Sequence, residues 1–136
     1  METRGIRNKN PLNIRKGTSW LGLAENQPDK AFCTFSSMEF GIRAGIKLIR
    51  NYITGWGGRR RKYCTVDAII SKWAPPSENN TESYIQFVCR ESGLSRYSAI
   101  APNDKSSIFA LMGAMCKIES KYILSRTMFN SAWSLL

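Results

Sequence analysis

Ten carboxylates are present in this chain, and their sequence surroundings sort them by what chemistry they could do. Glu39 and Glu82 stand where helix caps are expected, and Glu2, Glu25, Asp29 and Asp104 fall in loops. Glu119 differs. It lies in the most apolar segment of the chain, beside the stripe of Met112, Met115, Ile118 and Tyr122, and no lysine or arginine stands three or four residues away. A carboxyl held against apolar side chains has its pKa raised, the condition under which glycosidases keep a general acid protonated near neutrality. The plainer reading is a glutamate at the edge of an amphipathic helix, reaching water.

A second group of candidates follows a pair of prolines. Trp73-Ala74-Pro75-Pro76-Ser77-Glu78-Asn79-Asn80-Thr81-Glu82-Ser83-Tyr84 presents a carboxylate, two amides, hydroxyls and two aromatic rings on a stiffened loop. Trp73, Asn79, Asn80 and Tyr84 have the chemistry that lines carbohydrate grooves, and Glu78 would supply the second carboxylate of a glycosidase pair. Helix capping accounts for residues 79–81 equally well. Glu91-Ser92-Gly93 is a weaker candidate, since Gly93 already suits a helix end.

The opening residues 4–17 combine five positive charges with Asn8, Asn10 and Asn13, and Ile6, Leu12 and Ile14 are the apolar residues available to hold them down. Amides donate and accept together, which suits a sugar or a peptide bond. Asn10 and Asn13 are therefore candidate substrate-binding residues. Arg4, Arg7, Arg15 and Lys16, with Arg59, Arg60 and Arg61 further on, are candidate anion-binding residues. The formal charge is +10. Residues 1–62 hold thirteen Lys/Arg and four Asp/Glu, a net of +9, and residues 63–136 hold seven and six, a net of +1. The basic half is expected to seek an anionic partner: nucleic acid, lipid headgroups or a bacterial wall.

Histidine is absent, which excludes every catalytic dyad or triad that uses imidazole as base. Cys33, Cys64, Cys89 and Cys116 are dispersed without a Cys-x-x-Cys pair, so no metal site is expected and free thiols are the default. No cofactor is expected. With no apolar run of eighteen residues a membrane-spanning helix is not expected, and the N-terminus has no apolar core of a signal peptide.

The elements that must position these groups follow from spacing. A chain of 136 residues is read as one domain, 1–136. Residues 18–23 and 31–35 are short β-like runs around the turn chemistry of residues 25–29, and a small hairpin is expected there. Ser36 and Glu39 form a capping box ahead of Ile42, Ile46, Ile49 and Ile53, an amphipathic stripe for the core. Thr65 caps a shorter helix that Pro75-Pro76 ends. A third runs from Asn79 and Glu82 to Gly93. The most apolar helix starts near 105–107, and residues 127–135 suit a short final one. The expected fold class is α+β: a mostly helical single domain of four to five helices with a small β-hairpin.

The opening also resembles the Arg-Gly-Ile-Arg-Asn-Asn-Asn-Pro-Gly-Asn-Ile-Arg signature of a family of short phage and prophage virion-associated proteins. Phe32-Cys33-Thr34-Phe35, Gly41-Ile42-Arg43-Ala44, Trp73-Ala74-Pro75-Pro76, Glu78-Asn79-Asn80-Thr81 and Tyr84-Ile85 match further, in order, across about the first ninety residues. Lys9 stands where that pattern has asparagine, Leu12 where it has glycine, and Ser120-Lys121 where Asn-Gly would follow the glutamate. That family is similar to lysozyme-like glucosaminidases. The resemblance implies a permuted, lysozyme-like arrangement with Glu119 behind the asparagine-rich loop.

The expected function is that of a phage-derived peptidoglycan-active protein. It would cleave glycan strands in the manner of a muramidase, glucosaminidase or lytic transglycosylase, with Glu119 as general acid and Glu78 as base or stabiliser of the oxocarbenium ion. Its expected place is the virion or the bacterial cytoplasm, acting at the cell wall, with glycan strands and other virion proteins as partners. The alternative is a non-catalytic virion or host-interaction protein that grips DNA or another anionic partner through its basic half.

Overall fold

The computed structural model describes residues 2–55 and 62–136. Six helices are found among them: α1 (Arg4–Arg7), α2 (Met38–Thr54), α3 (Val66–Trp73), α4 (Thr81–Ser92), α5 (Lys105–Ser120) and α6 (Arg126–Trp133). The chain divides into two compact units, one of residues 1–47 with 115–136 and one of residues 48–114.

The expected α+β class with its hairpin, and the lysozyme-like architecture attached to it, is not what forms. The described residues contain no strand. Residues 18–35 carry only isolated bridges, with Arg15 opposite Phe32 and Leu23 opposite Phe35. The reason lies in side chains that satisfy the backbone groups a ladder would have paired. The Gln27 amide accepts from Thr34 N at 2.8 Å and donates to the carbonyls of Ala24 and Thr34. Asp29 Oδ1 accepts from Ala31 N and Phe32 N. Asn10 accepts from Ile14 N and donates to the carbonyls of Ile14 and Cys33. Local side-chain bonds of this kind compete directly with sheet pairing.

In the first unit the basic opening is ordered rather than a free arm. Thr3 caps α1 by accepting from Ile6 N, and Leu12, Ile14, Cys33, Phe35, Ile42, Ala44, Ile46, Met115, Cys116 and Phe129 form the core. The loop after α1 lies directly on α2. A Cβ on Gly41 would collide with the carbonyl oxygen of Lys9, so two of the sequence motifs, residues 4–15 and 41–44, are in mutual contact. Ser37, rather than Ser36, accepts from Phe40 N at the start of α2, while Ser36 Oγ donates to Gly22 O.

In the second unit the core comprises Ile49, Ile53, Val66, Ile69, Ile70, Ile85, Val88, Ile100, Ile108, Leu111 and Met112. Thr65 caps α3 as expected, accepting from Ala68 N. Asn80, one residue beyond the expected Asn79, caps α4 through Ser83 N, and Gly93 ends that helix at φ 76°. The stripe of Ile42, Ile46, Ile49 and Ile53 is buried along its whole length.

Two of the three departures from the phage signature fall at left-handed backbone. Lys9 has φ 51° and Lys121 φ 54°, where the pattern has asparagine and glycine, the residues that tolerate this conformation best. Lys121 is exposed, so its side chain leaves no hole when removed. Lys121→Gly is expected to stabilise the chain by about 0.5–1 kcal/mol, the left-handed strain relieved less glycine's greater unfolded-state entropy. A rise of a few degrees in Tm would show it.

Candidate functional site

The first unit assembles its polar site where α5 ends. Three side chains of the opening segment and of that helix end tie the two together. Ser120 is buried and its Oγ donates to Pro11 O at 2.8 Å. Thr3 Oγ1 donates to Ser120 O at 2.7 Å. Asn13 Nδ2 donates to Glu119 O at 3.0 Å and reaches Glu119 Oε1 at 3.4 Å. The positive φ of Asn13, 53°, is what turns its amide back onto the helix terminus, and asparagine adopts that conformation readily.

Glu119 is half-buried, with Met115 and Cys116 buried one turn before it. The Cys116 thiol is pushed well above its ordinary pKa, first by burial and then by the charge of Glu119, so it stays protonated and is no nucleophile. Asn13 Oδ1 is buried with no hydrogen-bond partner among the described residues. A buried amide oxygen left unmatched is costly unless something else donates to it. The site therefore holds a carboxylate and an unmatched acceptor on the same short segment of structure.

Asn10, the second amide of this loop, is fully buried and bound to backbone on both of its polar atoms. It shapes the loop that carries Asn13. Among the basic residues, Arg4 is engaged in a bidentate pair with Asp29 at 2.6 Å on both contacts, and its guanidinium stacks 4.4 Å from the centre of the Phe32 ring. Asn8 also donates to Asp29. Arg15 flanks the same ring at 5.2 Å. Arg7, Arg15 and Lys16 are exposed. Arg59, Arg60 and Arg61 lie outside the described residues.

The Arg4 guanidinium, helped by the Phe32 and Ala31 amides and by Asn8, holds the Asp29 carboxyl far below the usual carboxylate range. In the second unit, Arg96 donates to both oxygens of Glu82 at 2.7 Å, and with Gln86 it lowers the Glu82 pKa from 4.5 to about 2. A carboxyl whose pKa is depressed on folding adds stability above its unfolded pKa and loses it as pH falls through the folded value. The Glu82 contribution is therefore expected to be complete above about pH 4.5 and to fade towards about pH 2. Thermal melts of Glu82→Gln and Asp29→Asn against pH should each show a flatter acid limb than the parent.

The second unit has a cleft of about 550 Å³ lined by Asp67, Ser71, Pro76, Asn79, Asn80, Thr81, Glu82, Ile85 and Arg96. Asp67 Oδ1 accepts from Thr65 Oγ1 at 2.6 Å and from Ala68 N. Thr81 Oγ1 donates to Ala74 O. Asn79 makes one long bond, to Pro75 O at 3.4 Å.

The chain is 37% identical, over 121 residues, to Protein P5 of Pseudoalteromonas phage PM2, a match that covers 86% of this chain and 71% of the phage protein. The chain belongs to the P5 family. No protein-family model matches it. The phage kinship expected from the opening residues is thereby established at the level of this family.

In this member of the P5 family the residues picked from the sequence divide between the two units. Glu119, Asn10 and Asn13 belong to the first; Glu78, Trp73, Asn79, Asn80 and Tyr84 belong to the second. Glu78 is exposed, Trp73 is half-buried, and Tyr84 is buried at 8% exposure. Asn79 and Asn80 line the cleft. Sequence reasoning missed Asp67, Ser71 and Arg96 as cleft residues, and also Tyr97, a residue 74% exposed. The missed signal was Arg96-Tyr97, a cation and an aromatic together between two serines, Ser95 and Ser98. No group of three or more metal-ligating side chains occurs among the described residues, and no helix there is long and apolar enough to cross a membrane.

Proposed function

We propose that this P5-family chain is a phage-encoded, virion-associated protein that cleaves peptidoglycan glycan strands, with Glu119 as the general acid and Asn13 positioning it. The observation that carries this reading is the bond from Asn13 Nδ2 to Glu119 across 106 residues of chain. A glycosidic substrate supplies what this pair asks for. Its bridging oxygen takes the proton that the Glu119 carboxyl gives. The net charge of +10 concentrates the protein on an anionic wall. Membership of a phage protein's family gives the wall a reason to be the target.

The test is the clearing of purified peptidoglycan by the parent chain and by Glu119→Gln. Clearing by the parent and none by the variant is the expected result; equal activity in both removes the assignment. Glu78→Gln measured alongside asks whether a second carboxylate is required. If neither protein clears the wall, DNA binding across a salt series decides for the basic half as an anion-binding surface. Affinity would then fall steeply with salt, in proportion to the phosphates neutralised.

A further inference from the structure

The second unit contains polar groups that the Glu119 reading does not use. We propose that its cleft, together with the exposed ring of Tyr97, is a binding site for an N-acetylated glycan; this rests on the glycan reading above and concerns binding alone. A volume of about 550 Å³ falls within the range of small-ligand sites, roughly 300–1,000 Å³.

The chemistry of the walls selects the ligand class. Glu82 and Arg96 neutralise one another in a bidentate pair. Asp67 is turned to the start of its own helix, held by the Thr65 hydroxyl and the Ala68 amide. The Glu82 and Arg96 charges thus cancel, and the Asp67 carboxylate is occupied by two hydrogen bonds to its own segment. The other polar groups are neutral: the Asn79 amide with its one long bond, the Asn80 amide whose Oδ1 caps α4, and the Ser71 hydroxyl, beside apolar surface from Pro76 and the buried Ile85. Amides and hydroxyls that both donate and accept match sugar hydroxyls and acetamido groups, and the apolar surface suits a methyl group or a C–H face.

Tyr97 supplies an independent observation. The residue is 74% exposed, and the guanidinium of Arg96, a cleft-lining residue, lies 5.9 Å from the centre of its ring. An exposed aromatic face next to a cleft-lining residue is a surface on which a sugar ring stacks, its polarised C–H groups against the negative π-face. The Arg96–Glu82 pair fixes the cation and so supports the ring from one side. Of the aromatics in this unit, the buried Tyr84 is not available for this role.

The experiment is calorimetric titration of the full chain with the linear tetramer of N-acetylglucosamine. The parent should bind. Tyr97→Ala and Asn79→Ala should each weaken the Kd roughly tenfold, the usual effect of removing an aromatic anchor or a direct polar contact. Both residues are exposed, so unchanged melting curves will confirm that the fold survives. No binding by the parent, or parental affinity in either cleft variant, overturns the proposal. Binding that depends on Tyr97 in a protein that does not clear peptidoglycan would keep this site and remove the catalytic reading. Clearing that depends on Glu119, with binding indifferent to Tyr97 and Asn79, would do the reverse.

Discussion

Replacing Asn10 by alanine is expected to cost roughly 2–5 kcal/mol, a large part of the stability of a domain this size. The Asn10 amide is fully buried. Its Oδ1 accepts from Ile14 N at 2.9 Å, and its Nδ2 donates to Cys33 O at 2.9 Å and Ile14 O at 3.0 Å. Ile14 O also accepts from Cys33 N and so keeps a partner in the variant. Ile14 N and Cys33 O lose theirs, and each buried unmatched group costs about 1–3 kcal/mol. Asn10→Asp separates this account from simple loss of packing. Its carboxylate still accepts from Ile14 N but places negative charge against two carbonyl oxygens. It should be at least as damaging as alanine at neutral pH and partly recover in acid, where the protonated carboxyl can donate again. Urea unfolding of the three proteins at neutral and acid pH measures the difference. If Asn10→Ala unfolds within 1 kcal/mol of the parent, which is less than one orphaned group costs, the loop does not depend on this amide.

The same residue shows why the helices were legible in the sequence and the ribbon was not. Ile42, Ile46, Ile49 and Ile53 carry a period that only a helix satisfies, and Thr65, Pro75 and Gly93 mark ends through backbone chemistry local to a few residues. Residues 18–35 have β-like composition, but their backbone partners are set by Asn10, Gln27 and Asp29. Asn10 acts on Cys33 from 23 residues away. No periodicity reports that a side chain will stand in for a neighbouring strand. α1 was missed for a related reason. Four residues are too few to show a period, and Thr3 as its cap sits within a run of charge. The site was legible in part. Asn13 and Glu119 were both singled out, and the structure joins them. Tyr84 was singled out and Tyr97 was not, although both are single tyrosines in their segments. Only the packing of α4 decides which of the two is buried.

Glu119→Gln is expected to lower glycan-strand cleavage by roughly 10²–10⁴, the usual contribution of a positioned general acid. The substitution keeps an oxygen where Nδ2 of Asn13 donates, so the contact at 3.4 Å and the backbone bond at 3.0 Å can persist and the fold should be retained. Asn13 calls for a different choice. Its φ of 53° penalises alanine, whereas glycine removes the amide and accepts the backbone. Asn13→Gly is therefore the variant that isolates the side chain, and it should reduce kcat more than it raises KM if the amide holds the acid in place. The double variant then distinguishes positioning from an independent contribution. A residue that acts only through Glu119 has nothing left to act on once the acid is gone, so Asn13→Gly combined with Glu119→Gln should be no slower than Glu119→Gln alone. Additive losses would mean that Asn13 contributes on its own account and not by holding the acid in place. Losses in Asn13→Gly that track a fall in Tm would reduce it to a residue that merely holds the loop to α5.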